Sequence, residues 1–169
     1  MAMSMYSASV PVFVRTLGNL SIFLDKAEAF CTAKKIDPSV LINARLAPDM
    51  LPLSKQIQIA CDASKFAISR VAGIEAPKFD DNETTFVQLK ERIAGTIAFV
   101  KSVPADKLDG AEDKDVQVPM RGSTVTFKAE PYLKHFAMPN MWFHVTTTYA
   151  ILRHNGVELG KGDFLGAMS

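Results

Sequence analysis

The sequence has little of what usually marks an enzyme or a secreted domain. It holds two cysteines, Cys31 and Cys61, too few for a disulfide framework and without the C-x-x-C spacing of a zinc or redox motif. Its three histidines, His135, His144 and His154, never stand one helical turn apart, which excludes a His-x-x-x-His metal pair. Glu-x-x-His pairs, a G-x-S-x-G elbow and a phosphate-binding glycine loop after a strand are also missing, and with them the di-iron, hydrolase and nucleotide classes they signal. Neither sign of charge dominates: 19 Lys and Arg stand against 18 Asp and Glu. That balance leaves no basic stripe for nucleic acid and no polybasic patch for a membrane. No apolar run is long enough to span a bilayer, and the N-terminus lacks the pattern of a signal peptide. With both cysteines expected to be buried free thiols, the expectation is a cytoplasmic protein that binds neither nucleic acid nor membrane.

What is present is helical periodicity. Apolar residues make up 48% and charged residues 22% of the 169 residues, enough to build one domain over 1–169 with a real core. Val10, Phe13, Leu17, Leu20, Leu24, Ala27 and Cys31 alternate by three and four, which predicts a helix over Val10–Lys34 with a bundle-type seam. Pro11 falls inside that pattern and predicts a first turn or a kink. Met50, Leu53, Ile57, Ala60, Ser64, Ala67 and Val71 repeat the spacing, predicting a second helix over Pro48–Gly73. Phe86, Leu89, Ile93, Ile97 and Val100 predict a third over Thr84–Val103, with Asn82 as its N-cap. The fourth, Pro139–Asn155, is framed by Pro139 in a first turn and Gly156 just past the end. Between the third and fourth, Val116, Val118, Val125 and Phe127 alternate with polar residues around Arg121-Gly122, which predicts a β-hairpin. The acidic linker Lys107–Lys114 leading to it is expected to be mobile.

The fourth helix carries the informative residue. At about 100° per residue, Met141, His144, Thr148, Ile151 and Leu152 share one side, which Val145, Tyr149 and Trp142 extend. His144 is therefore expected to be buried among apolar neighbours, satisfied by one partner, and mainly neutral near pH 7. His154 lies in the last turn, where a cation offsets the helix dipole. On the second helix, Gln56 and Gln58 flank Ile57 about 100° to either side, and Asp62 follows Gln58 by one turn. If Gln58 and Asp62 face the interior, they meet His144 and Thr148 across the bundle.

The strings ASVPVF, QIQIACD and WFHVTTTYAILRHNG resemble a family of uncharacterised bacterial domains grouped with the DinB/YfiT-like metalloenzyme superfamily. The resemblance runs over nearly the whole chain. It implies an all-α, DinB/YfiT-like four-helix bundle with a long crossover, here with the small hairpin inserted before the last helix, and often a homodimer. Better-known relatives hold a divalent metal through one histidine on helix two and two histidines one turn apart near helix four. Carried over, those positions resemble Gln58, His144 and Thr148, so two of three imidazoles are replaced by weak ligands. That set implies at most a weakly held divalent metal, and no tight one.

Two readings follow. In the first, a polar pocket lined by His144, Thr148, Gln58 and Asp62 binds a small molecule, with His144 as ligand or base. In the second, the chain is a non-catalytic, dimeric helical module, and His144 is a core hydrogen-bonding residue.

Overall fold

The computed structural model describes residues 3–167. Four long helices make the frame: α1 (Met5–Lys34), α3 (Leu53–Ala72), α4 (Phe86–Ser102) and α6 (Met138–His154). A short α2 (Pro38–Ile42) lies between the first two, α5 (Ala129–Tyr132) precedes the last, and α7 (Lys161–Leu165) closes the chain. Around the bundle, α1 packs along α4, α4 along α3, and α3 along α6. The lighter α1–α6 seam is filled from the tail: Phe164 stacks on Phe23 and meets Tyr149 edge-on. Arg15 and Asn19 of α1 hold that tail by its carbonyls, at Leu165, Ala167 and Phe164.

The seams are where the apolar spacing puts them. Phe13, Leu17, Leu20 and Leu24 of α1 are fully buried, as are Leu53, Ile57, Ala60 and Ala67 of α3. By length and composition α1 is apolar enough to cross a bilayer, which corrects the expectation that no segment reaches that length. Here its apolar stripe is taken up by the bundle core.

The helix ends differ from the periodicity in instructive ways. α1 begins five residues before Val10 and runs through Pro11, because Ser4 and Ser7 form a reciprocal capping box upstream of it. α3 starts at Leu53 rather than Pro48, with Pro52 extended as its N-cap, so half-buried Met50 stands outside the helix. α4 is capped by Thr85, not Asn82: the Thr85 hydroxyl accepts from the Gln88 N–H, and the Gln88 side chain accepts from the Thr85 N–H. Before α6, helical backbone continues upstream through a π-helical turn, Leu133–Ala137, into α5. A proline cannot donate to the carbonyl one turn back, and a widened turn just ahead of Pro139 takes up that irregularity.

The hairpin forms as the alternation predicts. β1 (Asp115–Met120) pairs antiparallel with β2 (Ser123–Lys128), with Gly122 at φ +77° in the turn. Val116 and Val118 face the core, and Phe127 packs on Tyr132 and Phe136. The linker before it is anchored rather than loose: Leu108 is fully buried, and Asp109 accepts from the Tyr6 N–H at 2.8 Å. Cys31 and Cys61 are buried free thiols.

Candidate functional site at His144

His144 lies nearly two turns into α6, on the side packed against α3, and is 9% exposed. Its Nδ1 is 2.6 Å from Oε1 of Gln56. The amide of Gln56 is itself oriented: its Nε2 donates to the Leu51 carbonyl at 3.0 Å. A carbonyl can only accept, so the NH2 end of the amide must face Leu51 and the oxygen must face the imidazole. Nδ1 therefore carries the proton and donates. Burial lowers the pKa of His144 from 6.5, so the ring is neutral near pH 7 and Nε2 keeps its lone pair. Nε2 has no hydrogen-bond partner among the described residues and is not sealed from solvent.

The chain Leu51 carbonyl, Gln56 amide, His144 ring thus fixes one tautomer and leaves one basic nitrogen. The Phe143 ring stands edge-on to the imidazole at 5.2 Å between centroids. Phe143 and Leu51 are partly exposed, at 57% and 45%. Thr148 is fully buried, and its hydroxyl donates to the His144 carbonyl at 2.9 Å. It braces the helix turn that carries the ring.

Gln58 and Asp62 are elsewhere, which corrects their expected place beside His144. Both face α4 and the segment before it. Gln58 donates to Glu83 at 2.7 Å, and Asp62 accepts from Arg92 and from Lys65 at 2.9 Å each. The physical reason is helical phase: Gln56 and Gln58 are 200° apart around α3, so only one amide can face α6. Trp142 is likewise not on the buried side but 41% exposed. His135 and His154 are exposed.

The domain-of-unknown-function family model DUF1993 matches residues 5–165. The chain belongs to the DUF1993 family. It is also similar to the crystal structure of a DinB family member protein from Shewanella denitrificans, at 42% identity and a TM-score of 0.87, over 96% of this chain and 92% of that one. A comparison with curated proteins gives no match. The fold of this DUF1993 chain is thus DinB-like, a helical bundle with a small hairpin.

A metal ion of the kind that the DinB-like superfamily implies does not fit these residues well. At the α3–α6 contact the donors are one imidazole nitrogen, the Gln56 amide oxygen and the Thr148 hydroxyl. The first oxygen already accepts from the ring, and the hydroxyl donates within its own helix. Among the described residues no three His, Cys, Asp or Glu side chains are grouped to hold an ion. Zinc and nickel want several imidazole, thiolate or carboxylate donors.

Proposed function

We propose that this DUF1993 domain binds a small molecule at His144, through Nε2 as a hydrogen-bond acceptor or base. The observation that supports this is the Leu51–Gln56–His144 chain, which spends Nδ1 on orientation and leaves Nε2 free. A merely structural histidine needs one partner; one whose partner is itself anchored is held in a fixed tautomer, as ligating and basic histidines are. The ligand would offer an N–H, O–H or weakly acidic proton to Nε2 and apolar surface to Phe143. A divalent ion would be held weakly there, by a single imidazole. Gln58 and Asp62 contribute at a distance, by fixing the other face of α3. With two buried thiols, the reading places the protein in a reducing cytoplasm.

Metal analysis of the purified protein, with Ni2+ titration of wild type, His144→Ala and Gln56→Ala, tests this. The reading expects no stoichiometric metal, weak Ni2+ binding in wild type, and its loss in His144→Ala. A metal retained at one per chain and lost in His144→Ala would contradict it.

A second reading has its own observation. Trp142 and Phe143 leave large apolar surface on α6 exposed, and a second copy of the chain would cover it as a homodimer. Light scattering of wild type against Trp142→Ser decides this: a dimer unaffected by the change, or a monomer throughout, counts against it.

A further inference from the structure

On the face of α3 opposite His144 lies a second polar centre, and it is built differently. Arg92 of α4 and Lys65 of α3 are each only 3% exposed. The helices supply one carboxylate to these cations, Asp62, which is 2.9 Å from both. Lys55, also on α3, adds a further positive charge at the rim. The balancing charge comes from the irregular segment 75–84. Asp81 and Glu83 each lie 2.9 Å from Nη1 of Arg92, and Asp81 also reaches Lys55 at 3.4 Å. Asp81 shows the coupling: burial acts to raise its pKa, but the charge and hydrogen bonds of Arg92 and Lys55 outweigh that and lower it.

The same segment is pinned by one aromatic ring. Phe79 lies beneath Lys65 at 4.5 Å and beside Arg92 at 5.3 Å. It rests against Gly95 of α4, where a Cβ would come within 3.2 Å of its Cζ. The segment roofs a cleft of about 450 Å³ whose helix-borne wall includes Asp62, Lys65, Phe66 and Ser69. Glu75, Lys78, Asp80 and Glu91 are the other charged groups around this cleft and the one beside it.

Two buried polar atoms in this centre have no partner among the described residues: Nε of Arg92 and Oε1 of Gln58. Asp62 uses only the Nη2 corner of the guanidinium, so the Nε–Nη2 edge, which normally takes two oxygens of one anion, is half filled. A saturated structural ion cluster does not leave its central guanidinium with a buried free N–H. The helix-borne part is positive, the segment-borne part is negative, and the fit between them is incomplete.

We propose that segment 75–84 is a displaceable lid. Its Asp81 and Glu83 carboxylates occupy an anion site formed by Arg92, Lys65 and Lys55, and a small dianion, a dicarboxylate or an inorganic oxyanion, replaces them there. The lid carboxylates act as internal competitors. Lifting the segment uncovers two cations and the free Nε–H of Arg92, which together hold two negative charges. This site is on the opposite side of α3 from His144 and does not rest on the reading given for it.

The test compares wild type with Asp81→Asn/Glu83→Gln. Backbone 15N relaxation follows the segment and the helices, the Arg92 Nε–H resonance follows the site, and the probes are malonate and inorganic phosphate. Losing the charge-assisted hydrogen bonds should release the segment, with backbone order parameters in 76–84 falling from about 0.85 to below about 0.6, while the cores of α3 and α4 are unchanged. Malonate or phosphate should then shift the Arg92 Nε–H signal in the variant at lower concentration than in wild type. Segment order parameters that are unchanged, or that fall only together with those of the helices, overturn the lid. An open segment with no shift at Arg92 from either anion overturns the anion site, as does an equal shift when Lys65→Met is added.

Discussion

α3 presents two polar contacts to its neighbours, and they are opposites. Toward α6 it offers Gln56, which makes a neutral, two-bond chain with His144 and the Leu51 carbonyl. Toward α4 it offers Gln58, Asp62 and Lys65, which join a charged cluster around Arg92. The neutral contact buries no ion and leaves one ring nitrogen without a hydrogen-bond partner among the described residues. The charged one buries two cations and needs carboxylates from a loop to do so. Residues two apart on one helix thus serve a candidate binding site on one face and an anchoring centre on the other. Buried ions are expensive unless each is paired; buried amides need only one good partner.

If that contrast is right, the charged face should be the more sensitive to truncation. Arg92→Ala removes the hub, leaving Asp62 with Lys65 alone and the mostly buried Glu83 with only the neutral Gln58 amide; the expected loss in urea unfolding is on the order of 3–5 kcal/mol. Ile57, on the apolar seam between the two contacts, and Leu20 of α1 are both fully buried. Either changed to alanine should cost about 2–5 kcal/mol through lost burial and the cavity left. A loss under about 1 kcal/mol at both would mean that the seams are misplaced. Gln56→Ala leaves the His144 Nδ1–H without its acceptor, and about 1–3 kcal/mol is expected. If Gln56→Ala proved as costly as Arg92→Ala, the contrast would fail.

Acid should separate the two faces as well. The pKa of His144 is lowered from 6.5 by burial, so between those two values the unfolded chain binds more protons than the folded one. The stability this contributes is whole above the unfolded value and is lost as pH falls from 6.5 through the lowered folded value, with a slope of at most about 1.4 kcal/mol per pH unit. His144→Phe should remove that part of the pH dependence and leave any part due to Asp81, which titrates lower. The smallest effect is expected at the thiols. Burial pushes Cys61 up to about 12, and Cys31 is raised by burial and then by Asp37 and Glu28. A thiol reagent should therefore label neither quickly in the native protein.

Much of the frame was legible because a three-four apolar repeat and a two-residue alternation are local signals. Helix starts are less so, although local signals for them are present. The Thr85-x-x-Gln88 box is a specific N-terminal signature, and it outweighs Asn82, which lacks the matching residue three positions on. Pro11 suggested a beginning, yet the serine box at Ser4 and Ser7 lies ahead of it. At the candidate site, the burial of His144 and its need for a partner were legible from one stripe. The partner was not. Gln56 and Gln58 are symmetric about Ile57 in sequence, and only the packing of α3 between α4 and α6 tells them apart. The Arg92 centre was hidden for a further reason. Two of its three carboxylates, Asp81 and Glu83, lie in a loop whose charges look solvated until the fold brings them to a buried guanidinium.

The state of the His144 ring is the claim on which the site depends, and long-range 15N–1H correlation of the histidine side chains near pH 7 reads it directly. The account predicts a neutral ring with the proton on Nδ1 and an unprotonated Nε2, and a disturbed tautomer in Gln56→Ala. A ring protonated on Nε2, or on both nitrogens at that pH, would contradict it.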